Sequence, residues 1–393
     1  MRNVRHVGVV LVLGVAACGG APGAGGANPV TTTAGSAENA TKGAGDAGDA
    51  IPKAPESQQP NRCAKGGPFP ALSAAPKPAT EPKPLPCRAS DKAAESSVAA
   101  EMRAQFKPTR PGSTLDVSFG CDGLDQPIAR LVYERGVGHG NQLEIVQISR
   151  PDPAGASYDV IGIRESSPFM SNPKTPPFQV VRAKVPTDAV HARMPFVRAA
   201  LQTTLREVLP KSGLTGYAAF GSSSTMHALV RIEDAAGRSI EKKYSDAINS
   251  DGQGQFLPLL RADAEIRQII DKLPWQDEPA SGDVLKLFEE RFLAAMVESP
   301  AQDAWWVRAA YLELAGRAGA RSLVPSILGL LDTPRPEGPS SDAWERKQEA
   351  AMEALAKLTG WDARKDAKGA TRPIEAAARD FVAECGKVSP VAR

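Results

Sequence analysis

Between about residues 110 and 275 apolar side chains recur at every second position, and beyond Trp275 they recur at every third and fourth. This change of period limits the fold more than any other feature. Alternation suits a strand with one buried face, whereas a 3.6-residue repeat suits one face of a helix. Leu115, Val117, Phe119 and Cys121 alternate with polar residues or glycine. Strand-like runs follow at Ile128 to Glu134, Gln142 to Ser149, Tyr158 to Glu165 and Phe178 to Val185. Met226 to Ile232 and Ser239 to Tyr244, joined by a short turn DAAGR, read as a hairpin. Two helical faces interrupt the series. One carries Val197, Ala200, Leu201, Leu205 and Val208; the other carries Ile266, Ile269, Ile270 and Leu273, with Asp263 as its cap. Strands joined by short turns and grouped apart from helices predict a mainly antiparallel α+β domain over residues 89–275, opened by a helix from Asp91 to Phe106. An all-helical domain over residues 280–386 follows it.

The first ninety residues share neither period. Residues 18–88 are rich in Gly, Ala, Thr, Pro and Lys, as in TTTAGSAENATKGAGDAGDAIPKAP and APKPATEPKPLP. Such a segment cannot bury enough apolar surface to offset the entropy of ordering it. It is expected to be a disordered tether, stiffer where proline is dense. Residues 1–17 have a different design. Arg2 and Arg5 precede an uncharged apolar run from Val7 to Val15, and Ala16-Ala17 then lead into Cys18. That is the three-part layout of a secretory signal, with an apolar run too short to serve as a membrane span.

Val15-Ala16-Ala17-Cys18 resembles the lipobox of bacterial lipoproteins. The resemblance implies that Cys18 receives a diacylglycerol, that the signal is cut before it, and that the new amino group is acylated. Two or more acyl chains give stable anchoring, so the implied partner is a membrane, reached through the lipid on Cys18. Gly19 rather than Asp follows the cysteine, which by the same resemblance implies the outer membrane. The chain has five cysteines. With Cys18 lipidated, Cys63, Cys87, Cys121 and Cys385 remain as disulfide candidates in an oxidising compartment. Four cysteines admit three pairings, and the sequence does not choose among them.

The helical region contains an internal echo. Asp303-Ala304-Trp305 returns as Asp342-Ala343-Trp344 after 39 residues, and AAYLELAGRAG at Ala309 matches AAMEALAKLTG at Ala350 at a shift of 41. With SLVPSILGLLD as a second helix, residues 280–386 resemble a short HEAT-like array. So few units leave an end uncovered, so the array is expected to pack against the strand-rich domain. Trp305 and Trp306 stand beside the apolar stripe that begins at Val307. Adjacent helix positions point about 100° apart, so both cannot be central to one core face. They are the candidate partner-binding residues.

Signals for chemistry are sparse. There are four histidines, with no HExxH and no i,i+4 pair, and no CxxC spacing. No metal site and no cofactor are therefore expected. The loop GVGHGN around His139 precedes a strand-like run rather than a helix, so it lacks the geometry of a phosphate cradle. GSSS at Gly221 is not GxSxG, and the two SxxK matches, at Ser171 and Ser239, lack the companion elements of that motif. Asn249-Ser250-Asp251-Gly252 hints at a calcium turn. In an EF-hand register, however, its first and twelfth ligands would be Ala247 and Pro258, which carry no carboxylate. A net charge of +2 gives no long-range attraction to nucleic acid. The expected role is a non-catalytic binding or scaffold module, tethered in the cell envelope and holding a protein partner there. A purely structural envelope lipoprotein is the alternative. An envelope hydrolase would have to assemble its site from distant residues such as His139, Asp122 and Glu144.

Overall fold

The alternating segments become strands: β1 (Thr114–Phe119), β2 (Arg130–Val137), β3 (Gln142–Ser149), β4 (Ser157–Glu165), β5 (Phe178–Pro186), β6 (Thr203–Val208), β7 (Thr215–Tyr217), β8 (Met226–Glu233) and β9 (Ser239–Asp246). The computed structural model describes residues 62–63, 68–71, 91–106, 108, 111–121, 123–124, 127–137, 142–150, 155–165, 178–209, 215–217, 226–246, 256–297, 305–335, 341–366 and 368–387. Six strands form an antiparallel sheet in the order β5-β4-β3-β2-β8-β9, and a smaller antiparallel sheet has the order β1-β6-β7. The fold is α+β, with a strand-rich middle followed by C-terminal helices. The β8–β9 hairpin turns where expected. Asp234 Oδ1 accepts from the backbone N–H of Ala236 at 2.9 Å and of Arg238 at 3.0 Å. Gly237 takes φ +80°, a conformation side chains disfavour.

The helices are α1 (Lys92–Gln105), α2 (Thr187–His191), α3 (Met194–Gln202), α4 (Phe256–Ile270), α5 (Gly282–Val297), α6 (Trp305–Ala318), α7 (Val324–Leu331), α8 (Ser341–Thr359) and α9 (Ile374–Cys385). Asp91 caps α1, accepting from Ala93 N at 2.9 Å. One face of the large sheet, including Tyr133, Val146, Val160 and Val230, packs on α3 and α4 through Val197, Ile266 and Ile270. The other face packs on the C-terminal helices. Leu143, Ile145, Ile163 and Val180 share a core with Phe288, Phe292 and Tyr311. Those three rings lie 6.1 to 6.3 Å apart, and each such buried side chain contributes about 1.5–3 kcal/mol over its exposed state. The expected packing of helices on strands therefore occurs, through a shared core. It also changes the strands: Leu131, Val132, Tyr133 and Glu134 are consecutive and all buried. Strict alternation belongs to sheets with one wet face, and here helices cover both.

Two expectations from sequence are corrected. The helical face that was to run from Val197 to Val208 stops at Gln202, and Leu205 lies in β6. The β-branched pair Thr203-Thr204 favours a strand, and Thr203 pairs with Phe119 of β1. Lys242 Nζ donates to the Thr203 carbonyl at 2.7 Å, serving the backbone where α3 ends. Asp263 is not a cap. It lies within α4, buried, and accepts the Tyr133 hydroxyl at 2.5 Å. Close packing of α6 on α8 depends on Gly316, where an added Cβ would come within 3.1 Å of Ala354 Cα.

Candidate functional site

Consecutive residues of β2 point to opposite layers, and both carry polar groups into them. Tyr133 faces α4 and meets Asp263. Beside it Glu144 pairs with Arg267, and Arg267 Nη1 donates to Asp271 at 2.9 Å. Burial pushes the Glu144 carboxyl up, against the pull of Arg267. Glu134 faces the C-terminal helices. Its carboxylate pairs with Arg291 of α5 and lies 3.0 Å from His227 Nε2 of β8, while Tyr311 of α6 sets its hydroxyl beside it. Burial alone would raise the Glu134 carboxyl. The His227 hydrogen bond and the Arg291 charge outweigh it and bring it from 4.5 down to about 2. A carboxylate, an imidazole and a phenol are parts of an acid–base set. Glu134 and His227, however, are only 1% and 2% exposed. Sealed in this way, the cluster joins the sheet to α5 and α6.

A second carboxylate sits between the same layers. Glu165, at the end of β4, lies 3.3 Å from Arg317 of α6, which also pairs with Glu313. Burial pushes Glu165 from 4.5 up to about 8; Arg317 opposes this and Glu313 adds to it. The folded state therefore holds a proton there that the unfolded chain releases above pH 4.5. Stability should fall as pH rises from about 4.5 to 8, at up to ~1.4 kcal/mol per pH unit. Glu165→Gln, which cannot release a proton, should flatten that slope in urea titrations across this range. An unchanged slope would exclude Glu165 as its source.

Among the described residues, one groove at the C-terminal helices opens to solvent. The groove, of about 320 Å³, runs between the end of α7, the start of α8 and the side of α9, within the size range of small ligand sites. Its wall includes Thr333, Pro334, Arg335, Trp344, Arg379 and Val382. The sequence places these groups simply. Trp344 falls in the second DAW, at the first turn of α8, and its indole N–H donates to the Thr333 carbonyl at 3.2 Å. Arg335 lies 5.9 Å above the Trp344 ring and bonds Glu375 Oε1 at 3.2 Å. Arg379 and Val382 are three apart on α9 and so share a side. Arg379 is exposed and makes no ion pair with another described residue. Asp332 and Glu375 also line the groove, and Glu375 is taken up by Arg335; a fixed aromatic wall, a small apolar side and the Arg379 guanidinium suit an apolar group with a polar, acidic end placed toward Arg379.

The residues singled out from sequence are scattered. Trp306 is 3% exposed and belongs to the shared core, so it offers no binding surface; it sits on the buried side of α6 because the sheet-facing core extends to that turn. The Trp305 side chain, His139, Asp122, the GSSS stretch, Ser171 and the Asn249–Gly252 turn lie outside the described residues. Glu144 is described, within the Arg267 network. Cys63 bonds to Cys385, with Cα atoms 5.1 Å apart, and Cys121 is disulfide-bonded as well. Cys18 and Cys87 lie outside the described residues. Cys63 and Phe69 fall in the segment expected to be a tether, yet both are buried against the C-terminal helices. The bridge and a buried ring supply local order that composition does not reveal. Among the described residues no cluster of metal-ligating side chains occurs, and no helix is long and apolar enough to cross a membrane. Trp344 was legible only as half of the DAW echo. Comparison with protein-family models, characterised proteins and solved structures finds no match to this chain.

Proposed function

We propose that this chain is a lipid-anchored cell-envelope protein whose folded body is a non-catalytic binding module, with α5 to α9 acting as HEAT-like helices that present a surface. The groove beside Trp344 carries this reading, because it is open, part apolar, and lined by an exposed arginine. The partner it suits is an envelope protein presenting an apolar side chain next to a carboxylate. Val15-Ala16-Ala17-Cys18 supports the address, and a disulfide inside the core suits an oxidising compartment.

The test is a pull-down from solubilised envelopes with the mature chain as bait, beside Arg379→Glu and Trp344→Ala. Arg379 is exposed, so its reversal should leave the fold intact and reduce partner recovery at least tenfold. Equal recovery with all three baits would remove the groove from the function. The address is tested apart from this, by mass spectrometry of the mature N-terminus. An acylated Cys18 is expected, and a bare start contradicts the anchor.

A further inference from the structure

The two ends of the folded body meet at one covalent point. Cys63 and Cys385 are bridged across a sequence separation of 322 residues. The contacts around the bridge seat the incoming chain on the last helix. The Arg62 guanidinium lies 5.7 Å above the Trp361 ring, Trp361 lies 5.0 Å from Phe381 of α9, and the Arg321 guanidinium lies 5.6 Å above Phe69. Both cysteines are buried in the shared core. Both sheets, and every helix from α1 to α8, therefore lie inside one covalent loop.

We propose that the Cys63–Cys385 bridge is a force shunt: tension entering the chain from its N-terminal side passes at Cys63 straight into α9, and the strands and helices inside the loop are never stretched. The inference rests on the anchored binding role only for the direction of the load. Arg379 and Val382, on the groove wall, belong to the same helix as Cys385. Where a partner grips Arg379 or Val382, less than two turns of one helix join it to Cys385. A covalent link replaces a body of marginal stability, whose net stability is typically ~5–15 kcal/mol.

The test is single-molecule stretching of the purified mature chain in detergent, with handles at Ala40 and Arg393. The oxidised chain should extend without any unfolding step from the body. A dithiol reductant should release steps that sum to the contour of the 322 hidden residues, about 1,100 Å at ~3.3–3.6 Å per residue; the oxidised Cys385→Ser variant should release that total less the loop that the Cys121 bridge still closes. Steps of that total in the oxidised chain would overturn the proposal. So would their absence in both the reduced chain and the variant, since something other than the bridge would then hold the ends. A bare N-terminus by mass spectrometry removes the anchor and leaves the shunt standing; steps in the oxidised chain do the reverse.

Discussion

Cys385→Ser should lower the stability of the folded body by about 4–6 kcal/mol under oxidising conditions. For a loop of 322 residues the chain-entropy relation gives about 6 kcal/mol as its upper limit. The serine would also place a hydroxyl in the buried core that includes Phe381, Ala378 and Phe69, where an unpartnered polar group adds cost. Cys63→Ser should cost about as much, and the double variant little more than either single one, because all three remove the same bond. Urea unfolding monitored by tryptophan fluorescence reads the shift in midpoint. A loss below about 1 kcal/mol would mean that the non-covalent seat of Arg62 and Phe69 already holds the ends together. A loss equal to the whole stability would appear as an unfolded variant; adding a dithiol to folded wild-type protein measures the same bond without refolding.

Glu134→Ala should cost about 3–5 kcal/mol. The substitution removes the carboxylate that Arg291 and His227 share and leaves a guanidinium buried against an apolar sheet face. The informative control replaces both charges, as Glu134→Leu with Arg291→Met. Packing without charges should recover most of the loss, because a buried ion pair is costly to break and nearly neutral to replace. The acid limb gives an independent check. The Glu134 carboxyl lies at about 2 in the fold against an ordinary 4.5, so its contribution is complete above pH 4.5 and drains away as pH falls toward 2. Together with the opposite slope from Glu165, wild-type stability should be greatest near pH 5. Glu134→Ala should lose the decline on the acid side while keeping the alkaline one. If the variant retains the full acid decline, other carboxylates set it.

The strands and helices were legible because their signals are local. Leu115, Val117 and Phe119 alternate whatever they pack against, and Val284, Leu287 and Phe288 share a helical face before any partner is known. The errors fall where a non-local contact outweighs a local signal. Asp263 reads as a cap by residue type, but the Tyr133 hydroxyl reaches it across 130 positions. Trp306 reads as surface because it stands beside the stripe of its own helix, but the sheet-facing core extends over it. The groove was hardly legible at all. Its walls come from α7, α8 and α9, and only the repeated DAW drew notice to Trp344.

What the sequence determined alone was the kind of most elements, a strand-rich middle followed by helices, since period acts over a few positions. The tertiary structure decided which cysteines pair, which charges are buried, and that helices cover both sheet faces. These outcomes depend on distance in space. A chain that brings residue 63 to residue 385 leaves no trace of that closeness in the spacing of its letters.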